Sequence, residues 1–238
     1  MGELPGRALI IHAGGDKRRR QNVQRLKTFL RRVGIADVQV FDAVCPSDSG
    51  PMYSPGEWGC FQSHLECLRI AAADPVGSST MILEDDAVFR YDAAAVSEAL
   101  LDAATEPWDI LHLGYLRNEI LRSWDENILK QPWHRVRGLL LGAQCYVVRP
   151  DGIRSRVEQF AALAHEDPTT GGGVGTDGAL SELAYRDTTF IRVAPVSSMT
   201  EQLVGIRSTI RENAPASWRT LALRVRQALR WRRAAHSV

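Results

Sequence analysis

Apolar runs of strand length alternate with amphipathic segments of helical length along most of this chain, and few architectures accept that alternation. Residues 7–12 read RALIIH, 80–84 read TMILE and 109–114 read DILHLG. Apolar runs this short and this continuous suit strands covered on both faces. Between them, 16–32 carries Val23, Leu26, Phe29 and Leu30 at helical spacing, with Val33 just beyond, and 57–73 repeats the pattern with Trp58, Phe61, Leu65, Leu68 and Ala72. The chain therefore predicts an α/β domain, a central sheet flanked by helices.

The rest of the pattern adds a strand at 38–41, a helix at 92–103, an irregular stretch to about 134 and an apolar run at 139–148. Pro150 predicts the first turn of a helix running to 164, since proline is tolerated there. A flexible glycine-rich loop at 169–178, a short helix, a strand at 189–194 and a polar segment to 213 complete the reading. At 238 residues, 45% apolar and 24% charged, the chain is long enough to bury a full core, which excludes disorder throughout. The expected division is one domain over 1–210 and an appended segment over 211–238.

The formal charge of +1 argues against whole-protein attraction to nucleic acid, while the basic clusters at 17–20 and 219–233 suit local anions. The four cysteines form no C-x-x-C pair and are too sparse for a disulfide framework. With no apolar leader and no run of about 18 apolar residues, a cytoplasmic protein is expected. In the C-terminal segment Trp218, Leu221, Ala222, Val225, Ala228 and Leu229 oppose Arg219, Arg226, Arg230 and Arg233. That makes a basic amphipathic helix, which packs on the domain or lies peripherally on the inner face of a membrane.

Chemistry concentrates at Glu84-Asp85-Asp86, directly after the apolar run at 81–83. Three adjacent carboxylates repel unless positive charge sits among them. In open α/β sheets ligands occupy the crevice beyond the carboxyl ends of strands, so a hard divalent cation, manganese or magnesium, is a natural occupant. The same three letters also fit a solvated turn.

The segments GEWGCFQSHLECLRIA, MILEDDAVF, WDILHLG and GAQCYVVRPDG, in that order and spacing, resemble glycosyltransferase family 25, the family of lipooligosaccharide and collagen galactosyltransferases. The resemblance spans roughly 7–210. It implies a Rossmann-like glycosyltransferase A fold, a UDP-sugar donor, manganese and inversion at the anomeric carbon. It also implies roles: Asp86 as metal ligand, Glu84 beside it on the metal or the donor ribose, and Asp85, Ser63 and His64 in the donor site. Glu57 and Cys60 match the family helix in structural positions. His12 stands where the family usually carries asparagine, and Arg18 and Arg19 belong to the basic loop expected to grip phosphate. Asp177 matches a late family aspartate ahead of a short helix. As the base it would take the acceptor hydroxyl's proton, and as an N-cap it would serve the helix alone.

The expected activity is transfer of galactose or glucose from a UDP-sugar to a saccharide acceptor, such as lipopolysaccharide or another surface glycan. Two other readings compete. One is a nucleotide-sugar-binding domain without turnover. The other is a receiver-type signalling module, whose first strand also ends in carboxylates. About eighty residues precede this strand, and the only lysines are Lys17, Lys27 and Lys130, which disfavours the receiver.

Overall fold

The computed structural model describes residues 3–52, 54–115, 133–136, 140–166, 175–195 and 198–203. Their strands are β1 (Arg7–His12), β2 (Asp37–Asp42), β3 (Thr80–Glu84), β4 (Ala87–Phe89), β5 (Ile110–Gly114), β6 (Trp133–Arg135), β7 (Cys145–Val148), β8 (Arg192–Pro195) and β9 (Thr200–Gln202). The helices are α1 (Lys17–Val33), α2 (Pro55–Ala72), α3 (Ala93–Ala103), α4 (Pro150–Arg154), α5 (Val157–Leu163) and α6 (Thr176–Arg186). The proposed boundary near 210 and the 211–238 helix lie outside the described residues. Among the described residues no helix is long and apolar enough to cross a membrane.

One mixed sheet runs in the order β2-β1-β3-β7-β5-β8-β6. β1 pairs in parallel with β2 and β3, while β7 runs against both β3 and β5. That reversed strand breaks the parallel order of a receiver domain. The buried strands β1 and β3 are those read from their apolar runs, and β2, more exposed, forms the edge.

The helices start and stop where their end chemistry dictates. Asp16 accepts from the Arg18 N–H to cap α1, and Gly34, at φ 110, ends it. Ser54 caps α2 by accepting from the Glu57 N–H, with Pro55 in the first turn. Gly59 lets α2 approach the loop that follows β2, because a Cβ there would strike the Val44 carbonyl oxygen.

The expected 150–164 helix is two helices, and the reason is local. The Arg156 N–H bonds to Ile153 O at 2.8 Å, a three-residue step, and its own guanidinium takes the displaced Gly152 carbonyl at 2.8 Å. The described part of the apolar run at 139–148, from residue 140 on, is strand only from Cys145. Leu140 N–H donates to Ser181 Oγ and Gly142 N–H to Asp177, so α6 rather than a ladder satisfies this backbone. α6 also begins inside the expected loop, at Thr176.

Two apolar clusters cover the sheet. Phe61, Leu65 and Leu68 of α2 pack with Phe160 of α5 and Leu180 of α6 on one face, and Phe61 stacks on Phe160 at 4.7 Å between ring centroids. Val23, Leu26 and Leu30 of α1 pack with Val96 and Leu100 of α3 on the other. Each such fully buried side chain contributes about 1.5–3 kcal/mol. The carboxyl ends of β1 and β3 therefore open between helices on opposite faces, a switch point of the kind that binds ligands.

Candidate functional site

At that switch point the Asp85 carboxylate ties three elements together. It is 1% exposed; its Oδ2 accepts from the Ala13 N–H at 3.0 Å and lies 2.7 Å from His12 Nδ1, and its Oδ1 pairs with the Arg19 guanidinium. Asn22 Nδ2 donates to the Asp85 and Ala87 carbonyls, each at 2.9 Å, and the Asp85 N–H donates to Ile11 O. β1, α1 and the β3–β4 turn are locked by one buried carboxylate and its neighbours. Asp85→Ala takes the carboxylate from beside a buried guanidinium and is expected to cost about 3–5 kcal/mol. Urea unfolding measures it, and an unchanged midpoint would remove Asp85 from this organising role.

Asp86, the next residue, has no such saturation. Its Oδ1 is buried with no hydrogen-bond partner among the described residues, and its Oδ2 lies 3.9 Å from Arg19 Nη2. Burial first, and the Glu84 charge second, push its carboxyl up to about 7, against the pull of Arg19. A largely buried carboxylate short of positive charge, beside a second carboxylate, is a fit for a hard divalent cation held by Asp86 and Glu84. The chain closes over this corner from the far side: β4 and β9 pair, and the Leu203 N–H donates to Asp86 O at 2.7 Å.

Glu84 faces α2. His64, fully buried, places Nε2 3.4 Å from Glu84 Oε1, and its Nδ1 lies 2.8 Å from the Tyr146 hydroxyl. Cys60, one turn earlier on the same helix face, sits with Sγ 3.8 Å from Thr176 Oγ1 at the start of α6. Burial, then Glu84, pushes its thiol up. A cavity of about 240 Å³ is lined by Arg19, Cys60, His64, Glu84, Asp86 and Gln202, among others. It is below the roughly 300–1000 Å³ of whole small-molecule sites, so it would enclose only part of a ligand of that size.

The structure thus brings together His12, Arg19, Ser63, His64, Glu84, Asp85 and Asp86. His12 is held by Asp85, while its neighbours Ile11 and Ala13 form the cavity wall. Ser63 lines the cavity, but its hydroxyl already donates to Gly59 O at 2.6 Å and accepts from the Val44 N–H at 2.9 Å. Arg18, 100° further round the helix than Arg19, is exposed instead. The loop before it takes positive φ at Gly14 (76) and Gly15 (70), where only glycine sits without strain.

Asp177 stands apart from the cavity lining. It is the second residue of α6, whose N-cap is Gly175, so the N-cap reading is corrected. Its Oδ1 accepts from the Gly178 N–H at 2.9 Å and its Oδ2 from the Gly142 N–H at 3.1 Å. Asn22, Tyr146 and Gln202 escaped the sequence reading. Asn22 had a signal, since it is a polar residue three positions after Arg19 on the apolar stripe of α1. Tyr146 lay in the GAQCYVVRPDG segment without a role assigned to it, and Gln202 had no signal, because strand pairing places them both.

This architecture matches solved structures. A glycosyltransferase involved in the glycosylation of the major capsid of PBCV-1 matches at a TM-score of 0.52 and 8% identity, over 86% of this chain and 96% of that one. The galactosyltransferase LgtC, in complex with donor and acceptor sugar analogs, matches at a TM-score of 0.47 and 9% identity, over 92% and 94%. No family model matches the sequence, and no curated protein matches it. The likeness at 0.52 shows the fold, a glycosyltransferase A fold with a central mixed sheet flanked by helices.

Proposed function

We propose that this chain is a metal-dependent, inverting glycosyltransferase of the family 25 kind, moving galactose or glucose from a UDP-sugar to a saccharide acceptor of lipopolysaccharide or another surface glycan. The observation that carries the reading is the buried Asp86 oxygen beside Glu84, without a hydrogen-bond partner among the described residues, at the switch point of a glycosyltransferase A fold. Manganese or magnesium held there would supply positive charge opposite a leaving diphosphate.

The chain's own residues do the remainder. Arg19, fixed by Asp85, keeps a guanidinium at the cavity wall for an anionic ligand. His12 and the Ala13 N–H keep Asp85 oriented. Asp177 is the proposed base, taking the proton from the attacking hydroxyl. Glu182 and Asp187, the other carboxylates of this region, are weaker bases, because Glu182 is paired with Arg186 at 2.9 Å and Asp187 with Arg156 at 2.6 Å. The Thr189 hydroxyl bond, with Arg156 behind it, holds Asp187 down to about 2.

The test is calorimetry of UDP binding with manganese and with EDTA, followed by nucleotide release from a panel of UDP-sugars. Manganese is expected to tighten UDP binding, and one UDP-hexose to be turned over. UDP binding no better than an unrelated nucleotide, or indifferent to EDTA, overturns the metal-bridged reading. Tight binding without turnover favours the non-catalytic domain.

A further inference from the structure

On the α2 side of Glu84, the Cys60, His64 and Glu84 side chains each offer one ligand atom, and the three atoms all lie within 4.8 Å of one another. We propose that Cys60 Sγ, His64 Nε2 and Glu84 Oε1 form a second ion site, selective for a divalent metal of borderline softness such as zinc, and distinct from the oxygen site at Asp86.

Four observations carry it. Cys60 and His64 are four residues apart on one helix, so they project from one face toward the end of β3. The separation of His64 Nε2 from Glu84 Oε1 is 3.4 Å, too long for the roughly 2.7–2.9 Å of a charge-assisted hydrogen bond. It is instead the spacing of two ligands that each sit about 2.0–2.1 Å from one tetrahedral ion, roughly 3.3–3.4 Å. The Tyr146 hydroxyl, 2.8 Å from Nδ1, fixes the ring with Nε2 toward Glu84, the outer support that ligating histidines use. All three residues line the same cavity, which leaves a fourth position for water or a ligand oxygen.

Donor chemistry sets the selectivity. A thiolate and an imidazole favour zinc or cobalt over manganese or magnesium. On binding, the Cys60 S–H bond breaks, a sulfur–metal bond forms and the proton leaves to solvent. Glu84 is common to both sites, so zinc draws it from Asp86 and competes with the hard ion. That competition rests on the function proposed above, whereas the ion site itself does not.

The test uses the full chain with cobalt(II) alone, in the absence of nucleotide. One equivalent is expected to produce a sulfur-to-cobalt charge-transfer band and tetrahedral d–d absorption. Zinc should displace the cobalt, and a large excess of manganese should not. Cys60→Ser is expected to abolish the charge-transfer band, while Cys45→Ser, at the other cavity cysteine, and Asp86→Asn keep it. Glu84→Gln, at saturating cobalt, should retain the band with affinity lower by about 10-fold or more. Absence of the band in the parent overturns the site, as does a band that survives in folded Cys60→Ser or an affinity unchanged in Glu84→Gln. In a separate arm, zinc is expected to weaken manganese-supported UDP binding in the parent but not in Cys60→Ser. Failure of that arm alone removes the competition and leaves the ion site standing.

Discussion

Asp86→Asn is expected to abolish the manganese-promoted part of UDP binding and to cut transfer by about 10³-fold. A bound cation contributes several kcal/mol at a leaving diphosphate, and each 1.36 kcal/mol is a factor of ten. The fold should not suffer. In the folded chain burial and Glu84 raise the Asp86 carboxyl from its ordinary 3.8 to about 7. Between those values the folded chain binds a proton that the unfolded chain does not. The stability this contributes is fully present below about pH 4 and is lost as pH rises through about 7. Asparagine removes that loss, so thermal melts of the metal-free proteins should show the variant gaining on its parent between pH 5 and pH 8. Protons and metal also compete for one carboxylate, so manganese affinity in the parent should fall by about tenfold per pH unit below 7. A variant that still binds UDP more tightly with manganese would move the ion elsewhere. A variant destabilised at pH 8 would mean that Asp86 makes a structural contact.

Asp177→Asn is expected to lower turnover by about 10²–10⁴-fold while leaving manganese-supported UDP affinity in place, the signature of a lost general base. Here the geometry sharpens what the sequence offers. As an N-cap, Asp177 would be replaced by asparagine almost without cost. In the structure both its oxygens accept backbone N–H groups, one from Gly178 and one from Gly142. Asparagine would turn an NH₂ toward one of those donors, so about 1–3 kcal/mol of stability should go as well. Slow turnover by itself therefore does not identify the base. The deciding measurement is the pH–rate profile of the folded variant at a temperature well below its melting point. Loss of the parent's acidic limb identifies the base. A retained limb with near-parental turnover makes Asp177 a tie between α6 and the 140–144 segment and nothing more.

The two assignments differ in how far the residues alone carry them. Glu84-Asp85-Asp86 stood out because a fully buried strand leaves a continuous apolar run, and a run that stops at three carboxylates marks its own end. β1 and β3 were legible to the residue for the same reason, and α1 and α2, expected over 16–32 and 57–73, were legible from their apolar spacing while their caps fixed ends that spacing left a residue or two off. Short-range chemistry of this kind is written in consecutive letters. β4 and β9, three residues each, are too short to show a period, and their pairing decides what lies against Asp86.

What the sequence by itself determined, then, is an α/β domain, its acidic strand end, and the helices on either side of it. Only the tertiary structure decided how the three carboxylates divide their work. They are adjacent in the chain, but at the strand end their surroundings differ: Asp85 pairs with His12 and Arg19, Glu84 turns to His64, and Asp86, farther from Arg19, keeps one oxygen with no hydrogen-bond partner among the described residues. It also decided that Cys60 shares a site with Glu84 and that Asp177 bonds to Gly142. The physical reason is range. Caps and apolar periods act within a few residues, whereas a carboxylate's proton affinity and ligand set depend on charges and burial brought in by elements dozens of residues away, and no spacing in the chain encodes that convergence.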